Sequence, residues 1–85
     1  MQFPDNTPVI VVMTQSFVAC GNLVNTDSGI VLNNAAIIRQ WGTTEGLGQL
    51  ALKGKTSSTI LDYYGIMHIP LHSIVFILEC TQSLL

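Results

Sequence analysis

Within residues 36–54 a cation, an aromatic ring and hydroxyl-bearing residues stand close together. Arg39 can grip a phosphate through two parallel N–H donors. Trp41, or Tyr63 or Tyr64 further on, offers a flat face on which a base can stack, worth about 1–3 kcal/mol per base. Thr43 and Thr44 stand where a helix is expected to begin, and the free N–H groups of a helix start attract an anion. Gly46 and Gly48 oppose helix by about 1 kcal/mol each relative to Ala, so either packing holds that helix or the glycines admit a close approach by another backbone or a ligand. Lys53 adds a second cation at the helix end. The expected ligand site is therefore Arg39, Trp41, Thr43, Thr44, Gly46, Lys53 and Tyr63. Each also has an ordinary structural use: Trp41 as core, Arg39 at a solvated or interface position, the threonines as caps.

No catalytic residues are assigned. Ser73 follows His72 directly, and neighbours on a strand point to opposite faces, so they form no dyad. The five carboxylates (Asp5, Asp27, Glu45, Asp62 and Glu79) are scattered, and no phosphate-cradling Gly-x-x-x-x-Gly-Lys is present. His68 and His72 have a spacing of four, but Pro70 between them excludes a regular helix and no third ligand is evident, so no metal or cofactor is assigned. Cys20 and Cys80 are expected as packed thiols in a reducing compartment.

These residues need a scaffold. Eighty-five residues make one domain, spanning 1–85, and a chain this short buries only about 60% of the surface it exposes when unfolded. Hydrophobic residues make up 48% and charged residues 9%, against roughly 25% charged in an average domain. Self-association into a homo-oligomer is the simplest way to cover the excess apolar surface. Three cations and a net charge of −2 cannot neutralise the phosphates of long DNA or RNA. No run approaches the roughly 20 apolar residues of a membrane span, and no secretory signal opens the chain, so a cytoplasmic location is expected.

The patterning predicts a β-dominated α+β fold: five or six short antiparallel strands forming a bent sheet or small barrel, with one short helix at about 44–53. The first four residues read as a loose end. The β-branched run at 9–14 forms a strand, reversal near Gln15 and Ser16 leads to a second at 16–24, and Gly21 suggests a bulge or a close backbone approach. The turn residues at 25–29 precede a third strand expected to break or bend at Asn33 and Asn34. The helix should run from Thr43 or Thr44 to Gly54, with Leu47, Leu50 and Ala51 forming one apolar stripe. A strand at 59–64 follows, with Tyr63 and Tyr64 on opposite faces. Residues 65–76 repeat the layout of the third strand loosely, with Pro70 enforcing the break.

Leu32-Asn33-Asn34-Ala35-Ala36-Ile37-Ile38, then Trp41, then Leu47-Gly48-Gln49-Leu50-Ala51-Leu52-Lys53-Gly54 resemble a set of small phage-encoded proteins. In these an N-terminal hairpin leads to a Leu-x-Asn-Ala-x-x-Ile strand, a Trp, and a helix carrying Leu-x-Gln-Leu-Ala-x-x-Gly. The resemblance spans about residues 9–81. It departs from the pattern at Gly-Thr-Thr (42–44), where those proteins have small residues, and at Leu85, where longer relatives continue into a helix. It implies a counter-defence role in the host cytoplasm: an oligomer that binds and sequesters a cyclic nucleotide immune signal, a cyclic oligonucleotide or cyclic ADP-ribose isomer, without cleaving it. Shared pockets of a symmetric oligomer would then bring several copies of Arg39 and Lys53 to one anion. The alternative is a protein-binding inhibitor, adaptor or structural phage component acting through an apolar surface.

Overall fold

The computed structural model describes residues 3–84. Its strands are β1 (Thr7–Met13), β2 (Val18–Asn25), β3 (Gly29–Gln40), β4 (Ile60–Pro70) and β5 (Ile74–Glu79), with one helix, α1 (Leu47–Lys53), between β3 and β4. They form a single sheet in the order β4-β3-β2-β1-β5, every pair antiparallel. The β-rich fold class with one short helix is as expected from the patterning.

The connection between β4 and β5 dictates the curvature of this sheet. The two strands occupy opposite edges, yet only a 3-10 turn, Leu71–Ser73, joins them. In a flat sheet the edges of five strands would lie about 19 Å apart at ~4.8 Å per strand, and four extended peptide steps reach at most about 14 Å. The sheet must therefore coil until its edges approach at that corner. It is strongly bent but not closed, because β4 and β5 do not pair.

Bulges supply the bends. At Asn34 (φ 52) the β3–β4 register slips between Leu32↔Met67 and Ala35↔Gly65, and it slips again so that Ala36 faces Tyr63. Asn tolerates this left-handed conformation better than most residues. β3 is thus one continuous, kinked strand instead of an interrupted one. β4 likewise runs unbroken through Gly65 (φ 84). Gly21 sits at the β2–β3 slip, where an added Cβ would lie 3.0 Å from the Leu32 side chain.

Alternation along the strands divides the core between two faces. Val9, Val11, Ala19, Leu23, Ile30, Leu32, Ala35 and Ile69 pack together on one face. Ile10, Val18, Cys20, Ala36 and Ile38 pack on the other, beneath Leu50 and Ala51 of α1 and the chain end at Cys80 and Leu84. The bulge at Asn33 and Asn34 switches parity, so that Leu32 and Ala35, three apart, face the same way. The two cysteines meet in the second cluster as free, buried thiols. Desolvation pushes each up to about 11, helped at Cys20 by Cys80 and at Cys80 by Glu79.

Two expectations need correction. The helix begins at Leu47, not at Thr43 or Thr44; its cap is Gly46 (φ 83), without a side-chain cap. Gln49 is the reason: its Oε1 accepts the Thr44 and Glu45 N–H groups at 3.2 and 2.9 Å, holding the preceding residues as a bend. The helix does end at Gly54, whose N–H donates to the Leu50 carbonyl at 2.9 Å. The N-terminal segment is also tied down from Phe3 onward: the Phe3 carbonyl accepts from Asn25 Nδ2 at 2.8 Å, and the Pro4 carbonyl accepts from the Thr7 hydroxyl. Met1 and Gln2 lie outside the described residues.

Candidate functional site

The residues expected to hold an anion come together only in part. Arg39, near the end of β3, forms a bidentate pair with Asp62 of β4, at 3.0 Å from Nε and 2.8 Å from Nη2. The guanidinium holds the Asp62 carboxyl below its ordinary range, mainly through the hydrogen bond, and Asp62 raises Arg39 in the same way. Tyr64 adds to the field at Arg39. Tyr63 pairs with Ala36 and so shares the opposite face, where it stands in solvent. Of the two tyrosines, Tyr64 is therefore the one beside Arg39.

Trp41 follows β3 and is 41% exposed, so its ring is available at the surface. Its backbone is fixed: Thr59 Oγ1 donates to the Trp41 carbonyl at 2.7 Å, and Thr56 Oγ1 to the Gly42 carbonyl at 2.6 Å. Gly42 (φ 69) passes so close to Ser58 that a Cβ would meet its backbone at 2.4 Å. The Thr43 hydroxyl donates to the Gly46 carbonyl at 2.9 Å, and the Thr44 hydroxyl lies 3.3 Å from Gln49 Oε1. Of the N–H groups expected to be free near Thr43 and Thr44, that of Thr44 is already satisfied by Gln49, as is that of Glu45 next to it. A Cβ added at Gly46 or Gly48 would meet none of the described residues within 4 Å, so no close approach on that side accounts for either glycine. Lys53 lies 3.8 Å from Glu45. The result is an exposed rim in which Arg39 pairs with Asp62 beside Tyr64, with Trp41 two residues further along the chain, and its cation is neutralised by its own carboxylate.

An apolar concavity lies elsewhere. A cleft of about 290 Å³ opens between the β2–β3 turn and β5, lined mainly by Phe3, Ile30, Leu71, Ile74 and Phe76, with Asn25, Thr26 and Asp27 at its polar side. It carries a carboxylate and no cation, so it suits an apolar group and not a phosphate. Along the flanking strands, large apolar side chains stand uncovered: Tyr63, Tyr64 and Ile66 on β4, Leu71 in the turn, and Val75 and Phe76 on β5. Sequence reading missed this surface. Its signal was the apolar run at 74–78, which reads as an interior strand but lies at a sheet edge.

His68 falls on β4 and His72 in the turn after it, both exposed. Among the described residues no group of three His, Cys, Asp or Glu is placed to hold a metal, and no helix is long and apolar enough to cross a membrane. No protein-family profile, curated protein or solved structure matches this chain.

Proposed function

We propose that this protein acts by binding, as a homo-oligomer, and that the strip of uncovered apolar side chains along β4 and β5 is its working surface. The observation that carries this reading is the exposure of Tyr63, Tyr64, Ile66, Leu71, Val75 and Phe76 together, each about half or more open to solvent. Single exposed apolar residues are ordinary, whereas clustered ones mark an interaction site, and Leu71, Val75 and Phe76 cluster beside the same cleft. Only 9% of the chain is charged, so little else on the surface opposes association. Sedimentation across a wide concentration range tests it. A mass that is a multiple of the protomer supports the reading; a protomer at every concentration overturns it. A protein-binding inhibitor, adaptor or structural component would use the same strip.

The exposed Trp41, two residues from Arg39, favours a second reading compatible with the first. In it the oligomer captures a small anionic nucleotide without cleaving it, the counter-defence role in a host cytoplasm that the phage resemblance implies. Because Asp62 neutralises Arg39 and Gln49 occupies the nearby N–H groups, an incoming phosphate must displace one of these acceptors or draw on several protomers at once. Thermal shift against cyclic di- and trinucleotides and cyclic ADP-ribose isomers, with chromatography of the released ligand, tests it. Strong stabilisation by one compound recovered intact supports sequestration; cleavage of that compound, or no shift with any, overturns it.

A further inference from the structure

We infer that the cleft between the β2–β3 turn and β5 is a site for a small organic cation, an ammonium carrying a compact apolar tail. Its volume of about 290 Å³ lies at the lower end of the roughly 300–1,000 Å³ range of small-molecule sites, and a cavity of about 150 Å³ already holds benzene. Phe3, Ile30, Leu71, Ile74 and Phe76 give it apolar walls, and a phenyl ring attracts a cation that lies over its face. The site is separate from the Arg39 rim and needs neither the oligomer nor the nucleotide reading.

The charge of the occupant follows from which polar groups around the cleft are already bonded. The N–H groups of Thr26 and Gly29 close the turn, donating to the Gly29 carbonyl at 3.0 Å and to the Thr26 hydroxyl at 3.1 Å. The Leu71 N–H donates to the Ser28 carbonyl at 3.0 Å, and Asn25 Nδ2 to the Phe3 carbonyl at 2.8 Å. These donors are spent on the fold. Asp27 differs: no hydrogen bond or ion pair joins its carboxylate to any described residue. Arg39 is held by Asp62, Lys53 stands 3.8 Å from Glu45, and no lysine or arginine lines the cleft. A carboxylate beside apolar walls, with no cation from its own chain, repels an anionic ligand and attracts a cationic one. The Asn25 side-chain oxygen, to which no described residue donates, is a second acceptor on the lining. A neutral apolar molecule leaves both acceptors unused, whereas an ammonium with an apolar tail engages them and the walls together.

Amide NMR titration with phenethylammonium, phenethyl alcohol and hydrocinnamate, which share a tail and differ in charge, tests this. The ammonium should shift the amides of residues 25–30 and 74–77 saturably and bind roughly five- to tenfold more tightly than hydrocinnamate, with the alcohol between them. Asp27 bonds to nothing else among the described residues, so Asp27→Asn should leave the turn intact, weaken the ammonium about three- to fivefold and leave the alcohol unchanged. Phe76→Ala, which truncates a half-exposed wall, should weaken all three probes alike, with Leu71→Ala replacing it if the first variant melts early. Equal binding of the three probes, or an ammonium affinity that Asp27→Asn leaves unchanged, would remove the cation from the site. Failure of the ammonium to shift those amides saturably, or wall variants that bind as wild type does, would overturn the inference outright.

Discussion

The inner strands β1 and β2 and the flanking strands β4 and β5 are built from similar residues, yet their surroundings differ. Val9, Ile10 and Val11 of β1 are fully buried, because one face turns into the bend of the sheet and the other lies under α1 and the chain end. Val75 and Phe76 of β5 are as apolar but remain 56% and 48% exposed. Apolar composition alone therefore does not decide burial; position in the sheet does. An apolar strand left at an edge is a surface still to be covered, and variants in the two regions should fail in different ways.

The largest difference is expected between Leu50→Ala and Tyr64→Ala. Leu50, on the inner side of α1, is fully buried against the sheet, so truncation should cost about 2–5 kcal/mol through lost transfer energy and a cavity. Tyr64 is 62% exposed, and its truncation should leave protomer stability within about 0.5 kcal/mol while lowering the oligomer mass. Urea denaturation at low protein concentration measures the first effect and sedimentation the second. Equal losses of stability would show that the edge belongs to the protomer's own fold and would end the contrast.

Alkaline stability sharpens the same comparison, since both titrating thiols lie in the covered half. Each moves from 9.0 to about 11 on folding, so the native state holds these protons more tightly than the unfolded chain does. The stabilisation is complete below pH 9, and it is lost as pH rises through about 11. The double variant Cys20→Ala/Cys80→Ala should lose less stability over that interval than wild type, read from denaturation midpoints at its two ends. Identical alkaline losses would mean that the thiols are not the buried acids of this core.

What was legible in the sequence follows the range of the interactions. Local signals succeeded: β-branched runs marked strands, the residues at 25–29 a turn, Gly21 a bulge, Pro70 the end of a strand and Gly54 the end of the helix. Contacts between distant residues did not show. Arg39 and Asp62 are 23 residues apart, and their pairing depends on the slips at Asn34 and Tyr64. A one-residue slip moves a side chain to the other face, which is why Tyr64 and not Tyr63 stands beside Arg39. The helix start was misplaced because an acceptor inside the helix, Gln49, serves residues before it, the reverse of an N-cap. The cleft joins Phe3, the β2–β3 turn and β5, and no pattern in the sequence links those three.

A smaller effect is expected at that loop. Gln49→Ala removes the acceptor of the Thr44 and Glu45 N–H groups, and water can replace it at this surface, so the loss should be about 0.5–1.5 kcal/mol. Gln49→Glu keeps an acceptor, now charged, and should restore stability. Hydrogen exchange gives the local readout: the amides of Thr44 and Glu45 should exchange faster in Gln49→Ala and not in Gln49→Glu. Unchanged exchange in both would show that the bend holds without this side chain, and the N–H groups would then be open to an anion after all.

The smallest effect on stability belongs to Arg39 and Asp62, because both are exposed and exposed ion pairs contribute little. Its sign is still defined. The Asp62 carboxyl is lowered by the Arg39 hydrogen bond, so the pair stabilises the fold above the ordinary carboxylate range, and that contribution fades as pH falls and Asp62 protonates. Arg39→Ala should return the Asp62 titration, followed by carboxyl carbon NMR, towards its ordinary value with little change in the melting temperature. The same titration separates the two proposed uses of the rim. If a nucleotide phosphate takes the guanidinium, adding it to wild type should raise the Asp62 titration as Arg39→Ala does, because the carboxylate has lost the same partner. If the rim serves only the fold, ligand and variant should differ, and Asp62 should stay low whatever nucleotide is present.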